Sequence, residues 1–81
     1  MILTIKLFAV ARERLGTNHI EVKLGDPATV ADLRHALAEQ FPSLTDLLPH
    51  IRIAINSDYA TPAAVVPPGA EVALIPPVSG G

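Results

Sequence analysis

Apolar and polar residues alternate along ILTIKLF (residues 2–8), with Leu3, Ile5 and Leu7 on one side and Thr4, Lys6 and Phe8 on the other. A period of two in a stretch rich in branched side chains predicts a strand. The next stretch, AVARERLG, consists of helix formers and ends in Gly16, which predicts one or two helical turns with a glycine cap. HIEVKL (19–24) alternates again, with Ile20, Val22 and Leu24 inward and His19, Glu21 and Lys23 outward. The two strands are therefore expected to pair antiparallel across a wide connection.

Between Gly25 and Pro42 the period lengthens to that of a helix. Val30, Leu33, Leu37 and Phe41, with Ala36 beside them, form one apolar stripe, while Asp32, His35 and Glu39 lie opposite. Thr29 followed by Asp32 resembles a capping box, with Asp26 before Pro27 as a rival start. Pro42 ends the helix, because its ring disfavours helical geometry at Phe41. SLTDLLP predicts a short helical turn that sets Leu44, Leu47 or Leu48 onto the core. IRIAIN (51–56) reads as a third strand with Ile51, Ile53 and Ile55 inward; NSDY is a turn leading to a short edge segment at Tyr59 and Ala60. PPGA (67–70) is another turn, and EVALI (71–75) is the last strand, with Val72 and Leu74 inward. Pro76 and Pro77 cannot donate to a ladder, so pairing is expected to stop there.

Strand, strand, helix, strand, short strand, strand around one core predicts an α+β fold. With a right-handed crossover the last strand lies beside the first, which gives a β-grasp, or ubiquitin-like, fold. Its mixed sheet of four to five strands is covered on one face by one main helix. Residues 1–75 form this domain, and residues 76–81 are expected to form a flexible tail ending in Gly-Gly.

Composition narrows the function classes. The 81 residues are 49% hydrophobic and 17% charged, enough apolar content for one packed domain. A formal net charge of −2 gives no general attraction to nucleic acid or anionic lipid, and Glu13 interrupts the basic pair Arg12 and Arg14. Cysteine is absent, which removes thiolate chemistry and disulfides. The apolar start carries Lys6 and Arg12 and reads as neither a signal peptide nor a membrane span, so cytoplasmic residence is expected.

The interior offers little chemistry. His19, His35 and His50 fall on a strand, a helix and a loop, without the spacing of a helical metal site. Ser43, Ser57 and Ser79 have no neighbouring base, and Gly25 stands alone where a phosphate loop needs several glycines. The outward face of the sheet is more informative: parity places Phe8, Ala54, Ala73 and Ile75 there, with Tyr59 near them, an apolar patch suited to a partner. The patch adjoins PPVSGG (76–81). Two glycines make the thinnest backbone available, able to thread a narrow channel and expose a terminal carboxylate. That carboxylate is ionised at neutral pH and a poor electrophile until joined to AMP, so activation requires a separate ATP-using enzyme.

FAVARERLG (8–16), TVADLRHAL (29–37), AINSDYA (54–60) and GAEVALIPPVSGG (69–81) together resemble the small subunits of molybdopterin synthase, ubiquitin-like sulfur carriers of molybdenum cofactor biosynthesis. The resemblance runs from end to end. It implies that Gly81 is adenylated by an adenylyltransferase related to ubiquitin-activating enzymes, using ATP-Mg, and converted to a thiocarboxylate by a persulfide sulfur donor. It implies further that the tail inserts into the large synthase subunit, where the sulfur attacks a pterin precursor. Gly81 matches the sulfur-bearing position and Gly80 the threading glycine; Ser79, Val78, Pro77 and Pro76 match the rest of the tail. Phe8 and Ile75 match apolar partner contacts, beside Tyr59 and Ala73 on the same face. An aromatic residue is common in the family where Ile75 stands. No cofactor is expected on the chain itself, nor any metal. The alternatives are a carrier for thiamine, cysteine or tRNA thiolation, and a ubiquitin-like protein modifier.

Overall fold

The computed structural model describes residues 1–76. Strand β1 (Ile2–Leu7) leads into helix α1 (Ala9–Leu15) and strand β2 (His19–Lys23). Helix α2 (Val30–Gln40) follows, then two 3-10 turns at Pro42–Leu44 and Leu48–His50, and strands β3 (Arg52–Ile55), β4 (Asp58–Tyr59) and β5 (Val72–Ile75). The sheet order is β2-β1-β5-β3-β4, with β1 and β5 parallel and the other pairs antiparallel. This is the β-grasp arrangement.

Alternation in sequence becomes two faces in space. The registers Ile5–Val72–Ile55 and Leu7–Leu74–Ile53 run across the inner face. There Leu3, Ile5, Leu7, Val22, Ile53, Val72 and Leu74 pack with Val30, Leu33 and Leu37 of α2, and Leu44, Leu48 and Ile51 close the end of the core. Among the described residues, no polar or charged residue is buried. Ala11, Ala28 and Val66 are buried as well, three small contributions that periodicity did not single out.

Thr29 wins the start of α2. Its hydroxyl accepts from the Asp32 N–H at 3.2 Å, and its own N–H donates to the Asp32 carboxylate at 2.9 Å. The remaining donors of the first turn are taken by the chain: the Val30 N–H reaches the Ala64 carbonyl and the Ala31 N–H the Pro62 carbonyl. All of the orphan N–H groups a helix start leaves are thus satisfied internally. Gln40, at the other end, lays its amide along the free edge of β2, accepting from the Lys23 N–H at 2.9 Å and donating to the Lys23 carbonyl at 2.8 Å. Arg34 holds the following connection by donating to the carbonyls of Leu48 and Ile51 at 2.7 and 2.6 Å.

Several boundaries differ from the sequence reading. Phe8 lies past the end of β1 and caps α1, its carbonyl accepting from Ala11 and Arg12. Phe41 follows the last turn of α2, in agreement with the effect of Pro42. Glu71 and Ile51 fall just outside their strands. Gly16 adopts φ 69° with its N–H on the Arg12 carbonyl, the left-handed cap that favours glycine. Asn56 and Ser57 both have positive φ, as a two-residue hairpin between β3 and β4 requires.

Candidate functional site

The outer face of the sheet is crossed by a single row of paired residues. His19 pairs with Lys6, Lys6 with Ala73, Ala73 with Ala54, and Ala54 with Tyr59. The small side chains of Ala73 and Ala54 lie in the middle of this row, and larger ones flank them. The result is a shallow groove of about 300 Å3, floored by Ala54 and Ala73 and walled by Phe8, Tyr59 and Ile75, with Lys6, Ser57 and Glu71 completing it. Phe8 is 43% exposed and Tyr59 62%, large apolar surface for so small a protein.

The structure therefore brings Phe8, Tyr59, Ala73 and Ile75 to one groove. Ala54 is a correction: it lies on the outer face as parity requires, yet it is buried, only 7% exposed. Alternation assigns a face but not a depth, and a methyl group between central strands is shaded by its bigger neighbours. Pro76 follows directly at the end of β5 and is half-buried. Pro77, Val78, Ser79, Gly80 and Gly81 lie outside the described residues.

Polar groups frame the groove. The Lys6 ammonium pairs with the Glu71 carboxylate at 2.8 Å, joining β1 to the start of β5. The Asn56 side chain accepts from the Glu71 N–H at 3.0 Å and fixes that corner. Arg52 stacks its guanidinium over the Tyr59 ring, 5.2 Å from the centroid, a cation–π contact that holds the exposed ring in place. None of these three was singled out from sequence. Lys6 was legible as outward-facing, but its pairing with Glu71 depends on a register between strands 65 positions apart.

The two carboxyls held below their ordinary range lie away from the groove lining. Asp32 is lowered by the Thr29 backbone N–H and then by its side chain, and Asp46 by the hydrogen bond from Arg14. Both belong to structural caps and ties. His19, His35 and His50 remain on β2, α2 and the turn before β3, and no cluster of three His, Asp or Glu suited to a metal occurs among the described residues. None of the described helices is long and apolar enough to cross a membrane. The groove carries apolar walls and one ion pair, with no nucleophile beside a base. Such a surface is of the kind that suits a protein partner.

Comparison with known proteins agrees with this architecture. Residues 5–81 match the ThiS family. The molybdopterin synthase sulfur carrier subunit of Arabidopsis thaliana is 36% identical over 95% of this chain and 80% of its own length. Small archaeal modifier protein 1 of Haloferax volcanii is 36% identical over 94% of this chain and 97% of its own. The crystal structure of SAMP1 from Haloferax volcanii superposes with a TM-score of 0.84 at 32% identity, covering both chains completely. A β-grasp sheet with an apolar outer groove, matched along nearly its whole length by these relatives, places the chain in the ThiS family of ubiquitin-like proteins, beside the molybdopterin synthase sulfur carriers.

Proposed function

We propose that this chain carries sulfur on the C-terminal carboxylate of Gly81 and delivers it as the small subunit of a molybdopterin synthase. The observation that carries the reading is the parallel pairing of β1 and β5, with Leu7 opposite Leu74. Both strands end at the same side of the sheet, so the chain leaves β5 beside Phe8, at the wall of the groove. A protein that covers the groove therefore meets the chain where it leaves the sheet, at Ile75 and Pro76. Relatives named as sulfur carrier subunits of a synthase supply the class of partner.

The chemistry follows from the weakness of a carboxylate as an electrophile. An activating adenylyltransferase joins the Gly81 carboxylate to the α-phosphate of ATP, releasing pyrophosphate and making an acyl-adenylate. A persulfide sulfur attacks the acyl carbon and AMP leaves; reductive cleavage of the sulfur–sulfur bond by a thiol frees the thiocarboxylate. In the large subunit the sulfur attacks a side-chain carbon of the pterin precursor and displaces an oxygen substituent there. Water then hydrolyses the resulting thioester, leaving the sulfur on the pterin and returning the carboxylate. In this reading acid and base groups belong to the partners, while this chain positions the reagent. The ladder ends at Ile75, just before Pro76, and Gly80 and Gly81 have no side chain to obstruct passage through a narrow channel.

Intact mass of the protein from its native host reads the proposal directly: an oxygen-to-sulfur exchange is expected, dependent on the activating enzyme and ATP. Deleting Gly81 should abolish molybdopterin formation with purified large subunit and leave the melting temperature unchanged. Product formation by the shortened chain at the wild-type rate would overturn the mechanism.

A second reading is favoured by the similarity to Small archaeal modifier protein 1. There the activated Gly81 would be joined to lysine amines of other proteins. Branched peptides carrying Gly81 in a digest of native-host protein would support it, and a thiocarboxylate with no branched species would exclude it.

A further inference from the structure

Four arginines occur in the chain, and they differ in what their guanidinium groups touch. Arg14 donates to the Ser43 carbonyl and pairs with Asp46; Arg34 donates to the carbonyls of Leu48 and Ile51; Arg52 lies over Tyr59. The Arg12 guanidinium makes no hydrogen bond or ion pair among the described residues, where the ion pairs are Lys6–Glu71 and Arg14–Asp46. It stands instead at the side of a hollow of about 520 Å3 between β1, α1 and the start of β2, lined also by Thr4, Lys6, Phe8, Asn18 and His19. Each polar side chain there carries a donor, and none is a carboxylate.

This hollow adjoins the groove. Lys6 and Phe8 line both, whereas Glu71, the counter-ion of Lys6, lines only the groove. A protein that covers Phe8 and reaches past it over the hollow covers Arg12 as well. Burying a guanidinium without an acceptor is costly, because its hydration is lost and nothing replaces it. The covering protein must bring an acceptor, and the planar fork of Arg12 matches a carboxylate through two parallel N–H donors.

We propose that the hollow at Arg12 is a carboxylate-accepting subsite of the docking face, filled by an Asp or Glu side chain of the protein that receives the tail. Arg12 supplies the forked donor, and Lys6 and His19 add positive charge and a ring N–H. The inference rests on the groove being the docking face and sharpens it. A partner needs both an apolar knob for the groove and an acid beside it. A protein offering only the knob would leave Arg12 buried and unpaired, and would be rejected on that ground.

The test uses the full chain with the large synthase subunit and the activating adenylyltransferase of the same source, Kd being measured by calorimetry at low and high salt. Arg12→Glu should weaken binding to one or both proteins by at least about 30-fold. Arg12→Gln should weaken it less and make it less salt-dependent, and Arg12→Lys should restore part of the loss. Melting temperatures should match wild type, since Arg12 has no internal acceptor to lose. Wild-type affinity of Arg12→Glu for both proteins would overturn the subsite while leaving the docking reading intact. So would losses of affinity that merely follow losses in melting temperature. Failure of the wild-type chain to bind either protein would remove both the subsite and the docking reading.

Discussion

The two faces of the sheet are made from the same strands, one residue apart, and they obey different rules. The inner face is filled by branched side chains that leave no room: Ile5, Val72, Leu74 and Ile53 are at most 1% exposed. The outer face sets two alanines where the inner face has Val72, Leu74 and Ile53, and the resulting groove is open. A protein that only had to fold would gain from larger side chains at Ala54 and Ala73, which would cover more of the sheet. The small residues make sense when something outside the chain completes the packing.

The contrast can be broken most sharply from inside. Leu33→Ala, at a fully buried position, should lower the unfolding free energy by about 3 kcal/mol and the melting temperature by roughly 15 °C, read by calorimetry. Binding to a partner, scaled to the folded fraction, should be unchanged. On the outer face the outcome should invert. Phe8→Glu should change stability by less than about 1 kcal/mol, yet weaken affinity for the large synthase subunit by more than about tenfold. A melting loss as large as that of Leu33→Ala would mean that Phe8 belongs to the core.

The smallest effect concerns neither face but the cap of the helix that covers one of them. The Asp32 carboxyl is held below its ordinary value by the Thr29 N–H, so it binds a proton less readily folded than unfolded. A depressed folded pKa contributes stability above the unfolded value, near about 3.9, and that contribution is lost as pH falls through the folded pKa. The melting-temperature gap between wild type and Asp32→Asn should therefore be widest near neutrality and narrow on acidification. A gap independent of pH would deny the carboxylate its role.

Much of this was legible because it is local. Alternation in ILTIKLF and HIEVKL, the stripe Val30–Leu33–Leu37, the Thr29–Asp32 box and the Gly16 cap each need only neighbours in sequence. The ends of elements were less legible, since Phe8 and Glu71 continue the alternation but have no ladder partner. Contacts made across the fold left no local trace: Gln40 on the β2 edge, Arg34 on two carbonyls, and the Lys6–Glu71 pair all wait on tertiary register. Val66 was missed because a lone apolar residue in a proline-rich connection has no period to reveal it. The groove residues Phe8, Tyr59, Ala73 and Ile75 came from parity and resemblance; the depth of Ala54 and the solitude of Arg12 required coordinates.

The parallel pairing of β1 and β5 has a practical side. Because β1 runs toward the groove wall, its first residues are at the opposite end of the sheet, where the Met1 amino group donates to the Leu24 carbonyl. Six residues of strand separate the two ends, about 20 Å. A dye or affinity handle added ahead of Met1 would be carried on the far rim and leave Phe8 uncovered. The same handle added after Gly81 would consume its carboxylate and leave the groove residues unchanged. Placing an identical label at each end would then separate a protein that works through its last residue from one that works through its surface alone.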